Sequence, residues 1–408
     1  MQYSMMDLTG LFDQPFNPSS INHTKMKQTL YCSRAIVLLL GVSLFSCSKS
    51  STSQTNPEPT TPQQVSYTSN DATSAYNDFN KYLFDTNRKI YFRASDKSGI
   101  GAIWTQAIYW DMSMNAWKRT KDTKYKQLIT DIYDGAAGQY NNYNWKDDSK
   151  WFIWDDMMWW IISLARAYET TGEQKYLNKS KEGFNFVWYG DATMGRNGSH
   201  ESNGGMEWDW HQRGKTACIN FPTIIGAMTL YNITKDADYV AKAKEVYGWA
   251  RTNLFDASNG RVADHKVDNN ATNWTLHTYN QASFIGAAVM LYKQTNDVSY
   301  LNDAVLAADY TRNNMSDAKG ILPYEGGEEQ GVYNAILAQY MIRLIEDGNK
   351  PEYLDWLRKN INTAYGNRNS TTGLMGKNYK TAPAAGTPVS CYDASSIPAL
   401  MQVIPPAN

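Results

Sequence analysis

The segment Trp151–Tyr168, WFIWDDMMWWIISLARAY, sets two adjacent aspartates in an apolar run that has no Lys or Arg from Trp151 to Leu164. A helix apolar on nearly every face must be enclosed by other protein. Two later segments, Ala217–Tyr231 and Tyr279–Tyr292, share this character. Short polar turns recur around them: Arg119-Thr120-Lys121-Asp122 before Tyr125, Thr171-Gly172-Glu173 before Tyr176, Thr234-Lys235-Asp236 before Tyr239, Thr295-Asn296-Asp297 before Tyr300 and Asp347-Gly348-Asn349 before Tyr353. The five tyrosines are separated by 51, 63, 61 and 53 residues, one helical hairpin plus a variable loop each time. Thr or Asp ahead of an acidic residue suits the turn and N-cap between antiparallel helices. The segments Asp71–Asp85 and Ser395–Val403 supply a sixth pair from the two ends of the chain. No alternating Val, Ile and Thr run is long enough for a sheet. Repeats of this length build an open solenoid or a closed ring, and enclosed inner helices favour the ring. The fold class expected is all-α: an (α/α)6 barrel of twelve helices forming a single domain over residues 67–408.

Four long connections, Gly190 to Lys215, Phe255 to Thr278, Asp317 to Gln330 and Gly366 to Ser390, precede inner helices and carry Gly, Asn, charged residues and Trp. Unstructured loops of this length in a compact domain are normally functional. All four are predicted to gather at one mouth of the barrel.

The chain has a second Asp-Asp pair, and the contrast is informative. Asp147-Asp148 is flanked by Lys146 and Lys150 and precedes an apolar run, which reads as an N-cap with first-turn acids. Asp155-Asp156 has no such matching charge in its neighbourhood. Burying a carboxylate without a partner costs several kcal/mol or raises its pKa, and two neighbouring carboxylates repel, so one stays protonated near neutral pH. One acid beside one base is the equipment of glycoside hydrolysis. Adjacent helical positions put the two carboxyls ~5 to 6 Å apart, nearer the spacing of retaining enzymes than of inverting ones.

Residues 1–46 read as an address. Lys25, Lys27 and Arg34 precede the apolar run Ala35–Phe45, too short to span a bilayer, so a signal peptide with its true start at Met26 is expected. It ends in Leu44-Phe45-Ser46-Cys47, similar to the lipobox of bacterial lipoproteins, which makes Cys47 the lipidated residue. The Ser-, Thr- and Pro-rich stretch 47–66 then serves as a flexible tether. The localisation expected is the outer membrane of a Gram-negative bacterium, on the cell surface or the periplasmic face, with a lipid anchor as the sole membrane contact. Cys218 and Cys391 remain as small buried hydrophobes or a single disulfide.

With 39 Lys plus Arg against 40 Asp plus Glu and no basic stripe, nucleic acid is excluded as a partner. The excess is aromatic: 14 Trp and 28 Tyr, side chains whose flat faces suit sugars. Trp208 and Trp210 are candidates for stacking on a pyranose, and Asn280 and Gln281 for hydrogen bonds to its hydroxyls. Asp111, with Trp104 and Trp110, is expected to line the same mouth. Glu207, Asp209 and His211 alternate as metal ligands do, yet no second His cluster supports them, so neither metal nor cofactor is expected. His200, His265 and His277 read as surface or loop residues.

The run Trp154-Asp155-Asp156-Met157-Met158-Trp159-Trp160 with Ala165-Arg166-Ala167-Tyr168-Glu169 resembles glycoside hydrolase family 76, the bacterial endo-α-1,6-mannanases, and the resemblance extends over roughly residues 75 to 400. Gly204-Gly205-Met206-Glu207-Trp208-Asp209 with Lys215 and Asn220, Thr278-Tyr279-Asn280-Gln281, and Glu325-Gly326-Gly327 also match. The resemblance implies a monomeric (α/α)6 enzyme that cleaves α-1,6-mannan with retention. Asp155 is then the nucleophile, Asp156 the general acid/base, and Lys215, Asn220, Tyr279 and Glu325 join the substrate-binding set. Two positions depart from the family pattern: Thr216 follows Lys215 where Asn is usual, and Glu328 stands where a third Gly is common. The alternative is a lipid-anchored glycan-binding protein without catalysis, which leaves two adjacent enclosed acids unexplained. An (α/α)6 enzyme acting on uronic acids would want Arg or His beside the acids.

Overall fold

The structure, a computed structural model, describes residues 66–201, 203–211 and 214–407. The leader, Cys47 and almost all of the tether lie outside the described residues. Among the described residues there are twelve α-helices: α1 (Ser69–Leu83), α2 (Ile103–Thr120), α3 (Thr123–Gln139), α4 (Trp154–Thr171), α5 (Gln174–Tyr189), α6 (Ala217–Thr234), α7 (Ala237–Leu254), α8 (Thr278–Thr295), α9 (Val298–Tyr310), α10 (Tyr333–Glu346), α11 (Leu354–Gly366) and α12 (Cys391–Val403). The even-numbered helices form the inner ring, each packed on the next, and α12 closes the ring on α2. Odd-numbered helices form the outer layer, and α1 covers α12, so the two ends of the chain complete the sixth pair. Gln402 ties them, its Nε2 donating to the Ala72 carbonyl at 3.0 Å.

The two layers follow from hydrophobic patterning. Every residue from Ala217 to Leu230 in α6 is buried, as is every residue from Thr105 to Ala116 in α2. Outer α1 buries one stripe: Ala72, Ala75, Tyr76, Phe79 and Leu83. Gly286 lets α8 approach α10, since a Cβ there would lie 2.4 Å from the Tyr340 ring.

Four hairpin turns share one device. A threonine in the last helical turn donates its hydroxyl back to a carbonyl four residues earlier and accepts the amide two residues on, as Thr234 does from Asp236 at 3.2 Å. Thr120, Thr171 and Thr295 do the same. The intervening Lys121, Gly172, Lys235 and Asn296 take the left-handed conformation, and Asp122, Asp236 and Asp297 cap the next helix.

The first turn of α4 starts at Trp154, so Trp151–Ile153 belong to the preceding loop, where Ile153 bridges to Asp209. Asp147 and Asp148 are therefore not first-turn acids. Asp147 accepts from Ser149 N at 3.1 Å, while Asp148 pairs with Arg196 at 3.2 Å. β structure among the described residues is confined to two-residue ladders and isolated bridges. One ladder pairs Lys215–Thr216 with His265–Lys266 and ties two long loops together. Contacts of Glu325 with His277 and of Lys377 with the Gly327 carbonyl join the remaining two, so the four long loops share one end of the barrel. No helix among the described residues is long and apolar enough to cross a membrane.

Candidate active site

Six inner helices begin at the loop-bearing mouth, and their first turns supply its floor. Asp155 and Asp156 open α4, Trp104 is the second residue of α2, Cys218 of α6 and Tyr279 of α8, and Tyr333 starts α10. Tyr279 and Tyr333 stack at 4.0 Å, and Trp104 lies 6.3 Å from Trp159 and 6.4 Å from Tyr333. Trp159 is one turn below the aspartates on the same helix face. An aromatic wall thus faces the acid pair.

The loop 203–211 is laid across the start of α4. Trp154 N donates to the Trp208 carbonyl at 3.0 Å, and the Trp208 indole donates back to Asp155 Oδ2 at 3.3 Å. Two residues expected to bind substrate, Asn220 and Lys215, hold this loop in place. Asn220 accepts Met206 N at 2.8 Å and donates to the Met206 and Thr216 carbonyls. Lys215 bonds to the Gly204 carbonyl and Asn203 and pairs with Glu201 at 3.1 Å. Both position Trp208.

The acids of the mouth are electrostatically distinct. Burial is the main cause raising Asp155, to about 6, and the charge of Asp264 adds to it; contacts with Cys218, Asp156 and the Trp208 indole pull the other way. Asp156 is pushed further, by burial first and then by the charges of Asp155 and Glu329. Of the two carboxyls Asp156 therefore holds a proton more strongly than Asp155. Asp264 is held low despite its burial, because His265, His277 and Asn280 surround it. Its carboxylate accepts from Asn280 Nδ2 at 3.1 Å and lies 2.8 Å from His265 Nδ1. Burial raises Glu329, which accepts the Trp104 indole at 2.7 Å. For His277 burial acts downward, yet Glu325, 2.6 Å away, and Asp264 outweigh it and raise its pKa.

Other expected site residues divide. Tyr279 and Trp104 stand at the mouth. Glu325 is placed there too, though its carboxylate caps α8 at Thr278 N (2.8 Å) as well as holding His277. Trp210 lies beneath Arg196, whose guanidinium is 4.9 Å from its ring. Gln281 is fully used inside the protein: it accepts Val262 N at 2.6 Å and donates to the Gly260 and Ala307 carbonyls. Asp111 is not at the mouth. It sits seven residues beyond Trp104, ~10 Å deeper along the helix, and pairs with Arg166 at 2.6 Å in the barrel interior. Trp110 points outward, donating to the Ile129 carbonyl at 2.9 Å. Of the tryptophans flanking the acids, Trp151, Trp154 and Trp160 pack into the core, and Trp159 alone shares the acids' face. His265 and His277 are site residues with carboxylate partners, and His200 pairs with Glu245 at 2.8 Å and stacks on Trp188. Cys218 and Cys391 are free and buried, with no disulfide between them. Among the described residues no three His, Cys, Asp or Glu side chains converge as a metal site, and Glu207 instead accepts Gly214 N at 2.8 Å.

Asp264, Glu329, Tyr333 and Cys218 escaped sequence reading. Cys218 and Tyr333 were accessible in part, since each occupies the same helix-start position as Trp104 and Asp155. Asp264 lies in a polar loop without periodicity, and Glu329 opens the single turn Glu329–Val332 that leads into α10, too short to carry a periodic signal.

The profile of glycosyl hydrolase family 76 matches residues 66–402. No match is found among curated proteins. Among solved structures, the GH76A α-1,6-mannanase of Salegentibacter sp. HEL1_6 superposes with a TM-score of 0.73 at 24% identity, covering 82% of this chain and 98% of that one. An inactive variant of that protein, with two adjacent aspartates changed to asparagine, has been solved in complex with α-1,6-mannotriose, with the same TM-score, identity and coverage. Dfg5 from Chaetomium thermophilum, in complex with glucosamine, has a TM-score of 0.70 at 15% identity, covering 83% of this chain and 92% of that one.

Proposed function

Since this chain belongs to glycoside hydrolase family 76, we propose that it hydrolyses α-1,6-mannosidic bonds within mannan chains, with retention, through Asp155 and Asp156. The observation that carries the reading is the acid pair itself: two adjacent carboxyls on the first turn of α4, unequal in proton affinity and faced by Trp104, Tyr279 and Tyr333. In the first step the ionised Asp155 bonds to C1 while the C1–O6 bond breaks and Asp156 protonates the departing O6. In the second, Asp156 takes a proton from water, the water oxygen bonds to C1, and the Asp155 carboxylate leaves. Asp264, fixed and ionised beside the pair, offers oxygens to sugar hydroxyls, and the aromatic wall packs against pyranose C–H faces. The bound mannotriose of the Salegentibacter relative supports the substrate class. The Leu44-Phe45-Ser46-Cys47 stretch supports a lipid anchor at Cys47 and an outer-membrane location, and the near-zero net charge suits a neutral polymer.

Digestion of linear and side-branched α-1,6-mannan tests the reading. Oligosaccharides of mixed length are expected early from the linear polymer, as internal cleavage requires. Release of mannose alone would contradict internal cleavage, and binding without any product would favour a non-catalytic glycan-binding protein.

A further inference from the structure

Away from the acid pair, a groove of about 580 Å3 opens between the C-terminal ends of α1 and α11, within the size range of ligand sites. Those helix ends feed the loops 84–102 and 367–390, which lead to α2 and α12 and are joined by the Ala94–Ser390 bridge. The groove therefore sits on the catalytic end of the barrel.

Its walls are built. Tyr365 donates its hydroxyl to Asp71 Oδ1 at 2.9 Å, and the Arg368 guanidinium lies 4.1 Å from the Tyr365 ring. Asn369, 5% exposed, accepts the amides of Thr371 and Thr372 at 2.9 Å each and fixes the turn that forms one side. Gly373 has φ +71°, and a Cβ there would lie 2.1 Å from Asp78 Oδ2, so glycine lets the loop close against that carboxylate. The lining then combines one acid, Asp78, two cations, Lys81 and Arg368, the loop hydroxyls, and the half-buried ring of Tyr82. Donors and acceptors of both kinds beside a phenol ring suit a ligand rich in hydroxyls.

We propose that this groove binds a second stretch of neutral α-1,6-mannan, holding a long chain while the mouth works on another part of it. The inference rests on the mannan reading above. Two linked contacts raise the effective concentration of polymer at the mouth without changing the chemistry there.

Affinity electrophoresis of the full chain in gels containing linear α-1,6-mannan provides the test, with Lys81→Ala, Tyr82→Ala and Ser370→Trp as variants and the hydrolysis rate on α-1,6-mannotetraose measured alongside. Polymer affinity is expected to fall about threefold or more while the mannotetraose rate stays at the wild-type level. Lys81 and Ser370 are exposed, so those two variants decide the matter should Tyr82→Ala fail to fold. Unchanged retardation with activity intact would overturn the groove alone. A wild type that neither binds nor cleaves mannan would overturn the groove and the catalytic reading together. Wild type retarded in polygalacturonate gels, with the variants losing that retardation while keeping it in mannan gels, would show an anionic ligand and overturn the proposal.

Discussion

The acid pair should be a liability for folding, and Asp155→Asn exposes its size. In the folded protein the Asp155 pKa rises from 3.8 to about 6, mainly through burial. A carboxyl whose folded pKa is raised binds its proton more tightly in the folded state, so stability falls as pH climbs through the window from 3.8 to about 6 and stays lowered above it. At about 1.4 kcal/mol per pH unit the penalty at pH 7 is at most about 3 kcal/mol, and water reaching the half-buried carboxylate reduces it to about 1 to 3. Asparagine keeps the shape and still accepts the Trp208 indole, yet carries no charge. Asp155→Asn should therefore raise Tm at pH 7 by several degrees, at ~2 °C per kcal/mol for a domain of this size, and the gain should vanish near pH 4. Thermal unfolding of both proteins from pH 4 to 8 measures it. A variant less stable than wild type at pH 7, or a difference independent of pH, would refute the electrostatic account.

Three further substitutions probe individual contacts. Trp208→Phe removes an indole donor from Asp155, so its pKa rises further and the acid limb of kcat/KM should move up by about half to one pH unit, read from a pH–rate profile on mannan. Asp111→Ala leaves the Arg166 guanidinium enclosed without its carboxylate, and urea unfolding should show a loss of about 3 to 5 kcal/mol, with the folded fraction keeping its KM. Gln281→Ala strands the Val262 amide and two carbonyls in the core and should lower stability by about 2 to 4 kcal/mol by the same measurement; a large KM change at unaltered stability would instead place Gln281 in contact with sugar.

Why some of the site was legible follows from how each residue is placed. The acid pair announces itself because adjacent carboxyls in an apolar helix lack any local source of charge balance. The twelve-helix ring is legible because enclosed helices, Thr-x-Asp turns and hairpin spacing are all local signals that agree. Asp111, Asn220 and Gln281 mislead for one reason: side chains able to bind a sugar are equally able to bind the backbone, and which they meet depends on depth and neighbours. Asp111 shows the depth effect, since two helical turns separate the mouth from the barrel interior. His277 and Asp264 are drawn together by the β ladder at Lys215–Thr216 and by the start of α8, contacts between residues distant in sequence. Their pairing is a property of the fold.

The most direct measurement is proton NMR of the anomer first released from linear α-1,6-mannan by wild type, Asp155→Asn and Asp156→Asn. Wild type should release the α-anomer first, with the β-anomer growing in only by mutarotation, and each variant should lose nearly all activity. Initial release of the β-anomer, or full activity in either variant, would contradict the assignment of Asp155 and Asp156 as nucleophile and acid/base.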